Sequence, residues 1–311
     1  MSHLFLGIDT SNYTTSAAVT DGNGLILSDK RKLLRVKEGE RGLRQSDALF
    51  LHIKNLPELI ETLDVDMKNI CAVGASFAPR NIPGSYMPVF LGGSGAGKMI
   101  AKALSVPYFE FSHQEGHLRA GLYQQNCDDS EFYSVHMSGG TTEILKVEKH
   151  GIGFKTEIVG KTLDISVGQL IDRTGVRLGL AFPCGKALDE ICSDGSDVKI
   201  PTVCVKGSEM NFSGTETQFL RLIESGVPAP EIAYLVFSSV AEALTKSILN
   251  VFNEYGRKHV LFVGGVASNS LIRNKIENAL TSDAFFSMRE YSTDNAVGIS
   301  LLTGEAFKRG L

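Results

Sequence analysis

What the chain lacks narrows the field first. Among its 311 residues there is no Cys-x-x-Cys pair, and the five cysteines, Cys71, Cys127, Cys184, Cys192 and Cys204, stand apart and are odd in number. A disulfide framework needs paired, regularly spaced cysteines, so the pattern suits a reducing compartment, and a cytoplasmic location is expected. Excess positive charge is missing too. Thirty-one Lys and Arg against 35 Asp and Glu leave a net charge of −4, so no global basic field attracts nucleic acid. The one dense basic cluster, Lys30, Arg31, Lys32, Arg35, Lys37, Arg41 and Arg44, reads as a solvated face or as a local strip for RNA. The N-terminus has no charged-then-apolar signal pattern, and no apolar run reaches membrane-spanning length, so no membrane partner is expected. What remains, 43% hydrophobic and 21% charged, is a globular chain long enough for two ordinary domains.

Periodicity gives an α/β order. Leu4–Ile8 is a buried strand ending on Asp9, Ser16–Val19 a second, and Leu25–Ser28 a third after the Asp21-Gly22-Asn23-Gly24 turn. Apolar residues at Leu49, Ile53, Leu56, Ile60 and Leu63 predict a helix over 44–63, kinked or split at Pro57. A strand at 71–75, an irregular loop at 79–88, a helix at 97–104 and a strand at 108–111 follow. The opening then recurs: strand 132–137, a polar bend at Ser138-Gly139-Gly140-Thr141-Thr142, and return strands. A long helix at 231–255, a strand at 260–263, a helix at 269–280, a short strand at 284–286 and a closing helix at 294–308 complete the chain. The recurrence predicts two related α/β lobes, 1–125 and 126–311, with the closing helix packing back toward a cleft between them. Ligands are expected at the carboxyl ends of the strands.

Several short patterns carry chemistry. His113 and His117, in Phe111-Ser112-His113-Gln114-Glu115-Gly116-His117, share a face if a helix runs through them, and imidazole is a good zinc or iron ligand. Two surface histidines on an ordinary helix fit the same spacing. Glu115 points away from such a pair, so the zinc-protease arrangement is excluded. Asp294, beside Asn295, is the candidate third ligand, and two His with one carboxylate leave metal positions open to substrate. Gly92 to Lys98 matches the spacing of a phosphate loop, but Met99 stands where its metal-binding hydroxyl belongs; a helix start lying close to a neighbour is the rival reading. Ser138, Gly139 and Gly140 can form a phosphate nest or a plain hairpin turn. In Gly264-Gly265-Val266-Ala267-Ser268-Asn269, Asn269 can read a base, reach a phosphate or cap a helix. Asp172, Asp189 and Asp294 also read as helix caps.

Taken together and in order, these pieces resemble the tRNA threonylcarbamoyl transferases, once named O-sialoglycoprotein endopeptidases or glycoproteases. The matching segments are Gly7–Ser11, His113–His117, Ser138–Gly140, Gly160–Asp172, Leu178–Gly185, Asn211–Gly214, Gly264–Asn269 and Thr293–Asn295, which span nearly the whole chain. The resemblance implies the duplicated fold of actin, hexokinase and the heat-shock ATPases around a nucleotide cleft. It implies one transition metal ion, iron or zinc, on His113, His117 and Asp294. It implies contacts to ATP, AMP or an acyl-adenylate from Ser138, Gly139, Gly140, Asp172, Gly185, Asp189 and Asn269. The activity it implies is transfer of threonylcarbamoyl from its adenylate to N6 of a tRNA adenosine, with other subunits of a tRNA-modifying complex as possible partners.

The chain departs from the family at defined positions. Tyr13 and Thr14 stand where the family carries an Asp-Glu pair, and Thr141 replaces a His. Ile165, Gln169 and Cys184 replace an Asp, a Glu and a Gly. The pattern is that of a divergent paralogue, for which the alternative is a non-catalytic nucleotide-binding partner of a full-length transferase. A kinase of the same fold is disfavoured by the His pair, since phosphoryl transfer uses magnesium on oxygen ligands. A peptidase finds no nucleophile–base pair.

Overall fold

The computed structural model describes residues 3–11, 13–35, 43–125, 127 and 129–311. Lys37 and Arg41 of the basic cluster and Asn12 of the first bend lie outside these residues. The chain divides into two compact units. Unit 1 comprises residues 1–123, 149–154 and 293–311; unit 2 comprises 124–148 and 155–292.

Unit 1 is built on β1 (Leu4–Asp9), six residues buried on both faces. β2 (Thr14–Asp21) pairs antiparallel to it and β3 (Ile26–Leu33) antiparallel to β2. Then come α1 (Gln45–Glu61), β4 (Ile70–Ala78), α2 (Phe90–Leu104), β5 (Tyr108–Ser112) and α3 (His113–Gly121). β4 runs parallel to β1, and β5 parallel to β4, so the sheet order is β3-β2-β1-β4-β5. Alternation along β1 sorts its faces. Leu4, Leu6 and Ile8 join Leu56 and Leu63 of the α1 segment and Ala101 of α2 in one core. Phe5 and Gly7 meet the C-terminal helix on the other side, where a Cβ on Gly7 would collide with the Ser300 backbone.

Pro57 does not split α1 into two helices: it lies inside one continuous 17-residue helix. The carbonyl it leaves without a donor is that of Ile53, on the exposed side of the helix where water can reach it. The helix expected from Gly97 begins at Phe90, so Gly92 to Lys98 is helix rather than a loop. Its glycines serve close packing: Gly92 lies against Leu49 and His52, Gly93 against Thr10 and Ile8, Gly97 against Tyr108 and Ala75. The phosphate-loop reading is excluded, because those N–H groups are engaged in a helix.

Unit 2 repeats the topology. Its elements are β6 (Glu131–Met137), β7 (Thr142–His150), β8 (Gly153–Lys161), α4 (Val167–Arg177), α5 (Gly185–Ile191), the hairpin β9 (Cys204–Lys206) and β10 (Glu209–Asn211), α6 (Ser213–Glu224), α7 (Ala229–Tyr255), β11 (Val260–Val263), α8 (Ser270–Leu280) and β12 (Ala284–Phe286). β7 is antiparallel to β6, β11 is parallel to β6, and β12 is parallel to β11; the order β8-β7-β6-β11-β12 matches the first sheet strand for strand. Contrary to the expectation from the sequence, α7 is long and apolar enough to cross a membrane by length and composition. Most of its apolar stretch is buried in the core of unit 2, among Phe212, Phe219 and Phe262. The last helix, α9 (Val297–Lys308), packs in unit 1 against Phe5 and Gly116.

Candidate metal centre and nucleotide-binding residues

α3 begins where β5 ends, and its first turn is fixed by a reciprocal cap. The Ser112 hydroxyl accepts from the Glu115 N–H, and the Glu115 carboxylate accepts from Ser112 N at 2.8 Å and Ser112 Oγ at 2.7 Å. Glu115 is thereby turned away from the histidines, and its other oxygen accepts from Phe154 N at 3.4 Å. His113 and His117 share one helix face, their rings edge to face with centroids 4.4 Å apart.

Asp294 reaches both rings. Its Oδ1 is 3.2 Å from His117 Nε2 and 3.6 Å from His113 Nε2. It can do so because it does not cap α9: the Asn295 side-chain oxygen accepts from Val297 N at 3.0 Å, and the helix starts three residues after Asp294. Glycine brings the two helices together. A Cβ on Gly298 would overlap the Gly116 carbonyl, and one on Gly116 would press Ile299. Ligand atoms of His113, His117 and Asp294 lie within 4.8 Å of one another, all in unit 1.

Asp9, which the sequence places at a strand end where ligands are expected, orients the group. It is wholly buried at the carboxyl end of β1, with Oδ1 3.1 Å from His113 Nδ1. Its Oδ2 accepts from Ser11 N at 3.3 Å and from the Ser11 hydroxyl. With Asp9 accepting from Nδ1–H, the His113 lone pair falls on Nε2, facing Asp294 and His117. A signal for it exists in the sequence: a carboxylate ending an otherwise apolar strand has to be paired.

The electrostatics favour positive charge between the carboxylates. Burial alone would lower the pKa of His113, but the charges of Asp9 and Asp294 raise it to about 10. Burial alone would raise Asp294, yet hydrogen bonds and charge from the two imidazoles hold it far below the usual carboxylate range. Asp9 is likewise held below its ordinary value against the cost of burial, by His113 and by hydroxyl donors. Two carboxylates thus converge on two imidazoles, and the well that retains a proton there suits a divalent ion on two nitrogens and an oxygen.

The residues expected around a nucleotide lie in unit 2. The Ser138 hydroxyl accepts from Thr141 N at 3.0 Å and from Gly140 N at 3.4 Å, closing the bend on itself. Gly139 and Gly140 are exposed, with open space where a side chain would be. α4 starts against this bend: Gly168 touches Ser138 and Gly139, and the Ser166 hydroxyl donates to the Gly139 carbonyl at 2.9 Å. One turn further along α4, the Asp172 carboxylate accepts from Cys184 N at 2.8 Å, just ahead of Gly185 at the start of α5. Asp189 on α5 accepts from the Asn269 side-chain amide at 2.7 Å. Burial raises the pKa of both Asp172 and Asp189. Asn269 also caps α8, accepting from Ile272 N at 2.9 Å, so neither Asp172 nor Asp189 is a helix cap but Asn269 is. Gly264, at φ 96°, lies against the Met137 carbonyl and brings the end of β11 beside the bend.

One departure, Gln169, proves structurally conservative, and Asp164, beside the departure at Ile165, keeps a structural role. Gln169 completes a capping box with Ser166, the work a Glu would do there. Asp164 accepts from the N–H groups of Ile165, Phe212 and Ser213 and fastens the segment before α4 to the start of α6. The described part of the basic cluster is largely ion-paired: Lys30 with Asp64, Arg31 with Asp29 and Lys32 with Glu58. That supports the solvated-face reading.

A family model described as TsaD: tRNA N6-adenosine threonylcarbamoyltransferase matches residues 47–301. The chain is 29% identical over 318 residues to the tRNA N6-adenosine threonylcarbamoyltransferase of Thermotoga neapolitana, covering 98% of this chain and 95% of that one. It is 28% identical to that of Christiangramia forsetii, covering 95% and 91%. Among solved structures it is similar to component A of the (R)-2-hydroxyglutaryl-CoA dehydratase of Acidaminococcus fermentans (TM-score 0.58, 14% identity, 98% of both chains). It is also similar to a ROK family glucokinase from Streptomyces griseus (TM-score 0.53, 14% identity, 96% of this chain and 99% of that one). At such identities the likeness is one of fold. It is the two-lobed α/β fold of actin, hexokinase and the heat-shock ATPases.

Proposed function

We propose the function from one premise: the chain belongs to the TsaD family of tRNA N6-adenosine threonylcarbamoyltransferases, whose model spans residues 47–301. The protein transfers a threonylcarbamoyl group from an adenylate to N6 of a tRNA adenosine, in the cytoplasm. The observation that carries this reading is the convergence of His113, His117 and Asp294, with Asp9 behind His113. These three residues would hold one iron or zinc ion, which when bound would supply Lewis acidity and a template for the acyl donor. Asp9 would keep the Nε2 lone pair of His113 available to that ion. The open backbone at Gly139 and Gly140 receives the adenylate phosphate. Asp172, Gly185, Asp189 and Asn269 hold the nucleoside, with the two carboxylates as acceptors for its hydroxyls. Other subunits of a tRNA-modifying complex would assist in placing the tRNA, since the described basic residues of the β3 region are largely engaged in ion pairs.

The test is transfer by the purified protein. Unmodified tRNA and threonylcarbamoyl-adenylate are supplied with and without the other subunits, and digested tRNA is analysed for the modified nucleoside by mass spectrometry. Product that disappears in His117→Ala supports the assignment; no product under any combination refutes it. A second reading, a non-catalytic nucleotide-binding partner, is favoured by Tyr13 and Thr14 standing where relatives carry carboxylates. Complementation separates the two: rescue of a strain depleted of its own transferase rules out a purely supporting role.

A further inference from the structure

A second group of side chains with metal-ligand chemistry lies in unit 2, apart from the residues discussed above. Cys127, Asp129 and His259 each offer one ligand atom, and the three atoms lie within 4.8 Å of one another. The sheet brings them together. β6 and β11 are adjacent and parallel, with Tyr133 opposite Val260, so the residues preceding each strand meet at the same edge. Each position is anchored. Tyr133 N donates to the His259 carbonyl at 2.8 Å, and the Phe285 ring stands edge-on to the imidazole at 4.9 Å. The Gln125 side-chain amide donates to the Phe286 carbonyl at 3.1 Å, pinning the approach to Cys127. Asp129 Oδ2 lies 2.5 Å from His259 Nδ1. Cys127 is buried and outside any disulfide, whereas Asp129 and His259 border a cavity of about 410 Å³. The two cations on that cavity, Arg257 and Lys258, are ion-paired with Asp283 at 2.6 Å and Glu131 at 2.8 Å.

We propose that Cys127, Asp129 and His259 bind one zinc ion, with water in the fourth position on the cavity side. Sulfur, nitrogen and oxygen together suit zinc, and the thiolate disfavours magnesium and calcium. Zinc bonds of about 2.0–2.3 Å put ligand atoms roughly 3.5 Å apart, so side-chain rotation closes the group. On binding, the Cys127 thiol gives up its proton to solvent and becomes the thiolate ligand, while neutral His259 binds through the ring nitrogen that carries no proton. The ion tethers the segment leading into β6 to the start of β11. The site is not the nucleotide pocket: the seven residues of β6 separate it from the Ser138 bend by roughly 20 Å at 3.3 Å per residue.

Cobalt substitution in the full-length protein tests this. Only a cysteine ligand gives a thiolate-to-cobalt charge-transfer band, and the His113, His117 and Asp294 group has none to give. The chelator-stripped protein reloaded with cobalt should show the band. His117→Ala should keep it, Cys127→Ser abolish it, and His259→Gln weaken it at least tenfold in cobalt titration. No band in the parent protein, or a band that survives Cys127→Ser, overturns the proposal. Should Cys127→Ser not fold, alkylation of the parent decides. Zinc should slow iodoacetamide modification of Cys127, mapped by peptide mass, at least tenfold; equal rates with and without zinc refute the site.

Discussion

Asp9 ends a strand of apolar residues and glycine and is itself wholly buried, so its carboxylate needs a partner, which it finds in His113. Asp9→Asn keeps the shape and removes the charge. The expected result is a loss of metal affinity of about 10–100-fold, as for other groups that orient a metal ligand. Competition against a chromogenic chelator checks it, with circular dichroism to show that the fold persists. The same pair sets a pH dependence. In the metal-free protein His113 holds its proton to about pH 10, so binding must displace that proton. Apparent affinity should therefore rise with pH by about tenfold per unit near pH 8, and level off sooner in Asp9→Asn. Without metal, the sign for stability is opposite. A folded-state pKa above the ordinary value of 6.5 stabilises fully below that value, and the stabilisation is lost as pH climbs toward 10. Urea titrations of stripped protein at pH 7 and pH 9.5 should show the second as the weaker.

Helix contacts decide whether those residues can meet. α3 and α9 touch at Gly116 and Gly298, and a methyl at Gly298 would overlap the Gly116 carbonyl. Gly298→Ala should cost about 1–3 kcal/mol, the usual range for overpacking, and reduce metal retention by separating Asp294 from the rings. Gly95 is the contrast: it lies inside α2, and a methyl added there would meet nothing within 4 Å, so Gly95→Ala should stabilise by about 0.5–1 kcal/mol. Thermal melts of the two variants, one falling and one rising, check both. Such contacts also explain what was legible in the sequence. The strand 4–9, the helix 229–255 and the His pair announce themselves through local periodicity. The glycines of α2 do not: Gly92 to Lys98 matches a phosphate loop as a string, and only neighbours distant in sequence, Thr10, Ile8 and Tyr108, show why they are small. Pro57 likewise reads as a break until the exposure of the turn before it is known.

Across the whole chain the recurrence of strand, polar bend and return strand was visible because both copies keep it. The sheets confirm it in the shared order of their five strands. The convergence of His113, His117 and Asp294 is only partly local: the two histidines share a helix, whereas Asp294 is far along the chain and reaches them because α9 returns to unit 1. Asp9 stands out as the polar end of a buried strand, but its pairing with His113 was hidden for the same reason. The proposed division of labour, metal residues in unit 1 and nucleotide residues in unit 2, makes a prediction about the molecule. Each unit has its own core, so each ligand should stabilise the unit that carries its residues. AMP at about 100 times its dissociation constant should add about 2.7 kcal/mol to the stability of unit 2. Asn269→Ala should cost that unit about 1 kcal/mol through the lost cap of α8, and should reduce the AMP effect by releasing Asp189 from its partner. Chelation should instead act on unit 1. Hydrogen exchange resolves the two: AMP should protect amides of α5 and α8, and metal those of α3 and the residues around Asp294. Protection by AMP confined to unit 1, or Asn269→Ala binding AMP as the parent does, would remove Asp189 and Asn269 from the nucleotide site.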